Sequence, residues 1–248
     1  MTYCLSLLCR EGIVFLSDTR TSAGAENLKV HSKMRIYDRP GDRLLCLLSA
    51  GNLSVTQTVC SFVEEDLAAG EGDAGQENLL NQQSLFTSAR YVGNVIRRVA
   101  ALDRTALLAD GIGFDCNMIL GGQIAGKRPQ IFHIYPQGNS IHASPSAPFL
   151  QIGETKYGKP ILDRGFTYET GLAEGVKYGL ISMDATLKSN VSVGTPVEVL
   201  CYRTDTLTAG KHVWIEDRDP YLSDLRDRWH KGVISLVQEI PVPRWAGQ

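Results

Sequence analysis

The sequence has no apolar run near the ~18 residues that a membrane-crossing helix requires. Its first residues also lack the basic stretch, apolar segment and small-residue cleavage site of a secretory signal. Charge of neither sign is in excess: 25 basic against 27 acidic residues leave a net −2, which gives nucleic acid or an anionic membrane no electrostatic footprint. Cysteine is scarce. The six thiols (Cys4, Cys9, Cys46, Cys60, Cys116, Cys201) never fall in C-x-x-C spacing and are too few for a disulfide scaffold. Most sit inside apolar patterns, so they read as reduced, buried and cytoplasmic. The histidines (His31, His133, His142, His212, His230) are scattered without metal-ligand spacing, which argues against a zinc site. Nothing in the composition marks a hinge, and residues 1–248 read as one domain.

What the chain does have is concentrated at its start. Met1 precedes Thr2, and Thr2 opens an apolar run to Cys9 that reads as a buried strand. Removal of the initiator methionine, which a small second residue permits, leaves a threonine with both a hydroxyl and a free α-amine. An α-amine titrates near ~8, so a neutral fraction is available at physiological pH to take the hydroxyl proton. Such a residue is nucleophile and base at once. A second strand, Ile13 to Leu16, follows the turn at Arg10, Glu11 and Gly12, and a hairpin of this length returns Asp18 to the Thr2 end. Lys33 begins a third strand, Lys33 to Tyr37. From there a lysine can lower the threonine hydroxyl's pKa while Asp18 restrains it. The bland alternative is an ion pair at the end of a sheet.

Thr2, Asp18, Arg20 and Lys33 in that order, with the glycine-bearing turn Ser49, Ala50, Gly51, resemble the proteasome β-subunit family and the bacterial peptidase HslV. The start MTYC, the run SDTRTSAG and the later GETKYGKPILDR are most similar to the bacterial proteasome-like Anbu family, over nearly the whole chain. The resemblance implies an N-terminal nucleophile hydrolase with Thr2 as nucleophile, Asp18 and Lys33 as its supports, and the Gly51 amide as oxyanion donor. Arg20 is expected to brace Asp18. Two positions depart from the family. Where it carries Gly-Ser-Gly, this chain has Gly153, Glu154, Thr155. Glu154 or Thr155 is then either a proton-handling group near the amine or part of a helix start. Where the family places an aspartate and, three residues on, a serine and glycine near the amine, this chain has Ser189, Ser192 and Val193 before Gly194. Ser192 takes the serine place and Ser189 the aspartate's, or the segment is simply a helix-terminating turn.

Periodicity supplies the remaining frame. Arg43 to Ser49 pairs with the third strand around Arg39, Pro40, Gly41 and Asp42. Asn52 or Ser54 caps a helix through Val55, Val59, Phe62 and Val63. Ala69 to Gln83 reads as a polar loop, and Ser84 to Ala101 as a second helix. Strands are expected at Asp115 to Ile124, Gln130 to Tyr135, Ser140 to His142 and Pro148 to Ile152, then a helix from Tyr168 to Leu187. Strands at Pro196 to Arg203 and His212 to Glu216 and a helix from Leu222 to Val237 follow, with an apolar tail fit to dock on its own domain or a neighbouring subunit. The order argues an α+β fold of four layers, αββα, with two antiparallel sheets between helices.

The function this implies is a threonine-type hydrolase of peptide or amide bonds in protein or peptide substrates, with no cofactor and no metal. By resemblance it works in a homo-oligomeric ring or ring-like spiral; whether an unidentified regulator, such as an ATPase, is a further partner is left open by the sequence. Two alternatives stand beside it: a hydrolase of a small amide or γ-glutamyl-type linkage, and a non-catalytic scaffold of the same fold.

Overall fold

The computed structural model describes residues 1–22, 28–73 and 75–246. Ala23 and Gly24 of the SDTRTSAG run, and Ala74 of the polar stretch, lie outside the described residues. In chain order the first half is β1 (Tyr3–Cys9), β2 (Gly12–Asp18), β3 (Arg20–Ser22), β4 (Leu28–Val30), β5 (Met34–Arg39), β6 (Arg43–Gly51), α1 (Leu53–Gly72) and α2 (Leu85–Ala109). The second half is β7 (Cys116–Ile124), β8 (Gln130–Ile134), β9 (Ser140–His142), β10 (Phe149–Gly153), α3 (Lys159–Gly165), α4 (Leu172–Ser189), β11 (Val197–Arg203), β12 (Lys211–Ile215) and α5 (Pro220–Glu239). One antiparallel sheet runs β10-β1-β2-β11-β12, the other β5-β6-β7-β8-β9, and β3 and β4 form a small separate ribbon.

The continuous apolar character of β1, β2 and β6 has a direct cause: both faces of each sheet are covered. In β1, Tyr3, Leu5 and Leu7 point toward Leu162 of α3 and Leu180 and Met183 of α4, whereas Cys4 and Leu8 point into the gap between the sheets. β6 alternates likewise. Leu45 and Leu47 meet Val59, Val92 and Ile96 of α1 and α2, and Leu44, Cys46 and Leu48 face Phe15 and Ile13 across the gap. Three apolar cores, helix to sheet, sheet to sheet and sheet to helix, make the four layers expected of the sequence.

Among the strands, the β3–β4 ribbon was not expected, and Lys33, read as the start of a third strand, instead precedes β5, which begins at Met34; the other departures are at helix boundaries. Asn52 caps α1 by accepting from the Ser54 amide, as its residue type predicts. The helix then continues to Gly72 instead of yielding to loop at Ala69, because Asn78 packs on Gly70, where a methyl group would lie 2.3 Å from its Nδ2. Ser84, given as the start of the second helix, caps α2, and the helix runs eight residues past Ala101. In those turns Leu102 and Leu108 are exposed and Leu107 alone of the leucines packs on the core, so they carry little apolar stripe to read. The helix expected from Tyr168 begins at Leu172, and a separate short helix, α3, precedes it.

Candidate active site

Several element ends converge at one end of the inter-sheet gap. The start of β1, the residue before β5, the end of β6, the start of β7 and the end of β10 surround a cleft of about 820 Å³. Its lining includes Thr2, Lys33, Ala50, Gly51, Asp115 and Glu154. The pleat of β1 sets Thr2 on the same face as Cys4, toward the gap. Tyr3 turns the other way, its hydroxyl bonded to Ser182 Oγ at 2.7 Å and to Gln151, and burial pushes its phenol up to about 12. That anchored ring fixes the strand one residue from the threonine.

Asp18 and Lys33 meet on the cleft floor. Lys33 Nζ donates to Asp18 Oδ1 at 2.6 Å and to the Arg20 carbonyl at 2.7 Å, with the two side chains 5 % and 0 % exposed. The hairpin register brings Asp18 to the strand start, where the Tyr3 amide donates to its Oδ1 at 3.0 Å. The Gly194 amide donates to Oδ2 at 3.2 Å. Burial raises the Asp18 carboxyl above its ordinary pKa, while the Lys33 ammonium and those two amides pull it back. The lysine side chain is thereby held in place in the cleft that Thr2 also lines.

Gly51 closes the opposite wall. Its φ of +127° and the position its Cβ would take, 2.3 Å from the Asp115 carbonyl oxygen, admit only glycine. The Ser49 amide donates to the Lys33 carbonyl at 3.0 Å, the last bond of β6 to the β5 side. Ladder alternation turns the Gly51 N–H to that same side, past the end of β5 and toward the cleft. Gly153 approaches from β10. A Cβ there, at φ +82°, would lie 2.0 Å from the Thr2 carbonyl oxygen, and the next amide, Glu154 N–H, donates to that oxygen at 2.7 Å.

Thr2, Asp18, Lys33, Gly51 and Glu154 are therefore gathered in one place. Arg20 lines the cleft too, but it holds Asp18 only indirectly: its guanidinium donates to the Val191 carbonyl at 2.7 Å and so ties down the loop that presents Gly194. Glu154 does not start a helix, since α3 begins five residues later at Lys159; its carboxylate is 7 % exposed. Ser192 lies in the turn after α4, where its amide donates to Asn190 Oδ1 at 2.9 Å, and it is not among the residues lining the cleft. Ser189 is the last residue of α4 and faces a different groove, with Asp184 and Trp229. Asp184 stays on α4, paired with Arg226.

Asp115, Asn117 and His31 also line the cleft and carried no sequence signal. Asn117 Nδ2 donates to Asp115 Oδ1 at 2.8 Å, and Asn117 Oδ1 faces His133 Nε2 at 3.0 Å. Burial, with Arg35 and Lys33 nearby, holds the His31 imidazole below its ordinary pKa, so it is neutral near pH 7. Among the described residues no group of three or more His, Cys, Asp or Glu side chains is arranged to hold a metal ion, and no helix is long and apolar enough to cross a membrane.

No protein-family model and no curated protein matches the chain. Solved structures do. Anbu (ancestral beta-subunit) from Yersinia bercovieri is 38% identical, with 98% of this chain and 98% of that one covered at a TM-score of 0.90. The Gly-1 mutant of Anbu from Hyphomicrobium sp. strain MC1 is also 38% identical at TM-score 0.90, covering 98% of this chain and 99% of its own. Anbu from Pseudomonas aeruginosa, solved as a helical assembly, is 37% identical, covering 99% and 100% at TM-score 0.91.

Proposed function

The chain belongs to the Anbu family of proteasome-like β-subunits, and from that premise we propose that it hydrolyses amide bonds with the Thr2 hydroxyl as nucleophile once Met1 has been removed. The observation that carries the reading is the buried Lys33–Asp18 pair at 2.6 Å beneath a cleft that Thr2 and Gly51 share. The freed α-amine takes the proton from Thr2 Oγ1 as that oxygen attacks the substrate carbonyl, and Lys33 offsets the charge developing on Oγ1. The Gly51 N–H donates to the carbonyl oxygen as it becomes anionic; one such donor contributes about 2.7 to 4 kcal/mol. Collapse of the tetrahedral species breaks the C–N bond, and the amine passes its proton to the departing nitrogen. Water then cleaves the threonyl ester, restoring hydroxyl and amine without any cofactor.

Peptides and proteins are the substrates proposed, and the Pseudomonas aeruginosa helical assembly supports a homo-oligomeric working form. Intact mass tests the reading cleanly. Removal of either partner of a buried ion pair costs on the order of 3 to 5 kcal/mol, so Lys33 or Asp18 variants confound chemistry with folding. Thr2→Ala leaves that pair in place. The native chain is expected to lack Met1 and to gain the mass of one β-lactone or vinyl sulfone, and Thr2→Ala to gain none. A native chain that keeps Met1 and never labels refutes the reading in favour of a scaffold.

A further inference from the structure

Glu154 lines the cleft beside the first two residues of the chain. Its amide is tied to the Thr2 carbonyl at 2.7 Å, and its side chain lines the same cleft as Met1 and Thr2 while only 7 % exposed. Asn190 Nδ2 donates to Glu154 Oε2 at 2.8 Å and also lies 4.0 Å from Met1 Sδ. Carboxylate, asparagine amide and the methionine side chain thus converge on the Met1–Thr2 junction. Loss of Met1 turns the Thr2 amide into an ammonium in the cleft that this carboxylate also lines.

The other charges around the cleft are committed. Asp18 already accepts from Lys33, Tyr3 and Gly194. Lys33 is spent on Asp18 and the Arg20 carbonyl, and Arg20 on the Val191 and Val193 carbonyls. Asp115 accepts from Asn117 on the Gly51 wall, and His31 is neutral. Among the described residues the Glu154 carboxylate meets Asn190 and the Lys156 ammonium, the latter 3.3 Å from Oε1. A carboxylate offers about four acceptor sites, so a third donor fits.

Resting on the reading of Thr2 as nucleophile, we propose that Glu154 is the positioning residue for the Thr2 α-ammonium, its carboxylate holding that nitrogen beside the threonine hydroxyl in the place the family gives to a serine. The carboxylate does not take the hydroxyl proton. It orients the amine and favours its charged form, so the amine becomes a base only at higher pH than it would alone.

The test is the pH dependence of β-lactone labelling on the full chain, followed by intact mass. In that reaction Thr2 Oγ1 bonds to the lactone carbonyl carbon, the ring C–O bond breaks, and the amine carries the hydroxyl proton to the ring oxygen. The acidic limb of the labelling rate reports the amine. Glu154→Gln keeps the size and a hydrogen-bonding oxygen but not the charge, and is expected to move that limb down by about one pH unit. Glu154→Asp keeps the charge, and its limb stays while its plateau rate falls. Lys156→Ala, on the exposed side of the same carboxylate, moves the limb up by a few tenths and serves if the glutamine chain does not fold. A merely structural Glu154 would lower the rate at every pH and leave the limb in place. An unmoved limb in the glutamine variant, or in Lys156→Ala where that serves, or a limb lowered equally by Gln and Asp, overturns the proposal. Unchanged labelling of Thr2→Ala would instead overturn the nucleophile on which it rests.

Discussion

Alanine at Gly153 would place a methyl carbon 2.0 Å from the Thr2 carbonyl oxygen and force a side chain into φ +82°. The backbone conformation alone costs on the order of 1 to 3 kcal/mol. The clash also pushes β10 from β1, taking with it the Glu154 amide that holds Thr2. Gly153→Ala is expected to lower the melting temperature by several degrees and to slow labelling at Thr2 by more than tenfold, both measured on one preparation. Normal labelling in a destabilised chain would mean that the tether plays no part in the site. At this scale the sequence was readable where chemistry follows from residue type and short spacing. Thr2 and Asp18 lie on one hairpin, and their meeting follows from strand direction; Lys33 comes after the unexpected β3–β4 ribbon, just before β5 of the other sheet, and its approach depends on how the two sheets stack. Glu154 and Asn190 meet at 2.8 Å across 36 residues through two loops, which no period encodes. Ser189, read as standing in the aspartate's place, ends α4 and lines another groove, a placement that depends on where the helix stops.

Among the elements, β8 carries a latent pH sensitivity. Burial pushes the His133 imidazole down to about 4, and its Nε2 sits 3.0 Å from Asn117 Oδ1 on the cleft wall. In the unfolded chain the same ring titrates near ~6.5. Above that pH it is neutral in both states. As pH falls from about 6.5 toward 4 the unfolded chain gains a proton that the folded chain refuses, so stability declines across that window and levels off below it. The loss is on the order of 1 to 3 kcal/mol. Denaturant midpoints taken between pH 7 and 4 are expected to fall further for the native chain than for His133→Gln, which can keep the bond to Asn117. Parallel curves would assign the acid sensitivity elsewhere. Strands such as β8 were legible because an apolar run bounded by glycine and proline has few other fates. The helix ends were less so, since Gly70 resembles a breaker until Asn78 is seen packed on it and the last turns of α2 leave Leu102 and Leu108 exposed.

For the whole molecule, the four layers follow from strands that are apolar on both faces, and that much was written in the chain. What an isolated chain leaves unfinished is α5. Leu222 and Leu225 are buried against the α4 layer, but the same stripe continues through Trp229, Val233, Leu236 and Ile240 into solvent, and Trp245 of the tail is 83% exposed. An apolar stripe that its own fold leaves bare is expected to meet a second copy of the chain, an expectation that the helical assembly of the related Pseudomonas aeruginosa Anbu supports. Full burial of one such side chain contributes about 1.5 to 3 kcal/mol, and each 1.4 kcal/mol is tenfold in affinity. Val233→Glu with Leu236→Glu is therefore expected to weaken self-association by about a hundredfold or more while leaving the melting profile of the sheets unchanged, since neither side chain joins a core. Light scattering over a dilution series reads the assembly mass directly. If the doubly charged chain assembles at the same concentrations as the native one, α5 does not form the contact. Labelling of Thr2 in the dispersed chain then separates two roles of assembly. An undiminished rate means that one chain holds a complete site and association serves only enclosure, and a lost rate means that a neighbour completes the cleft.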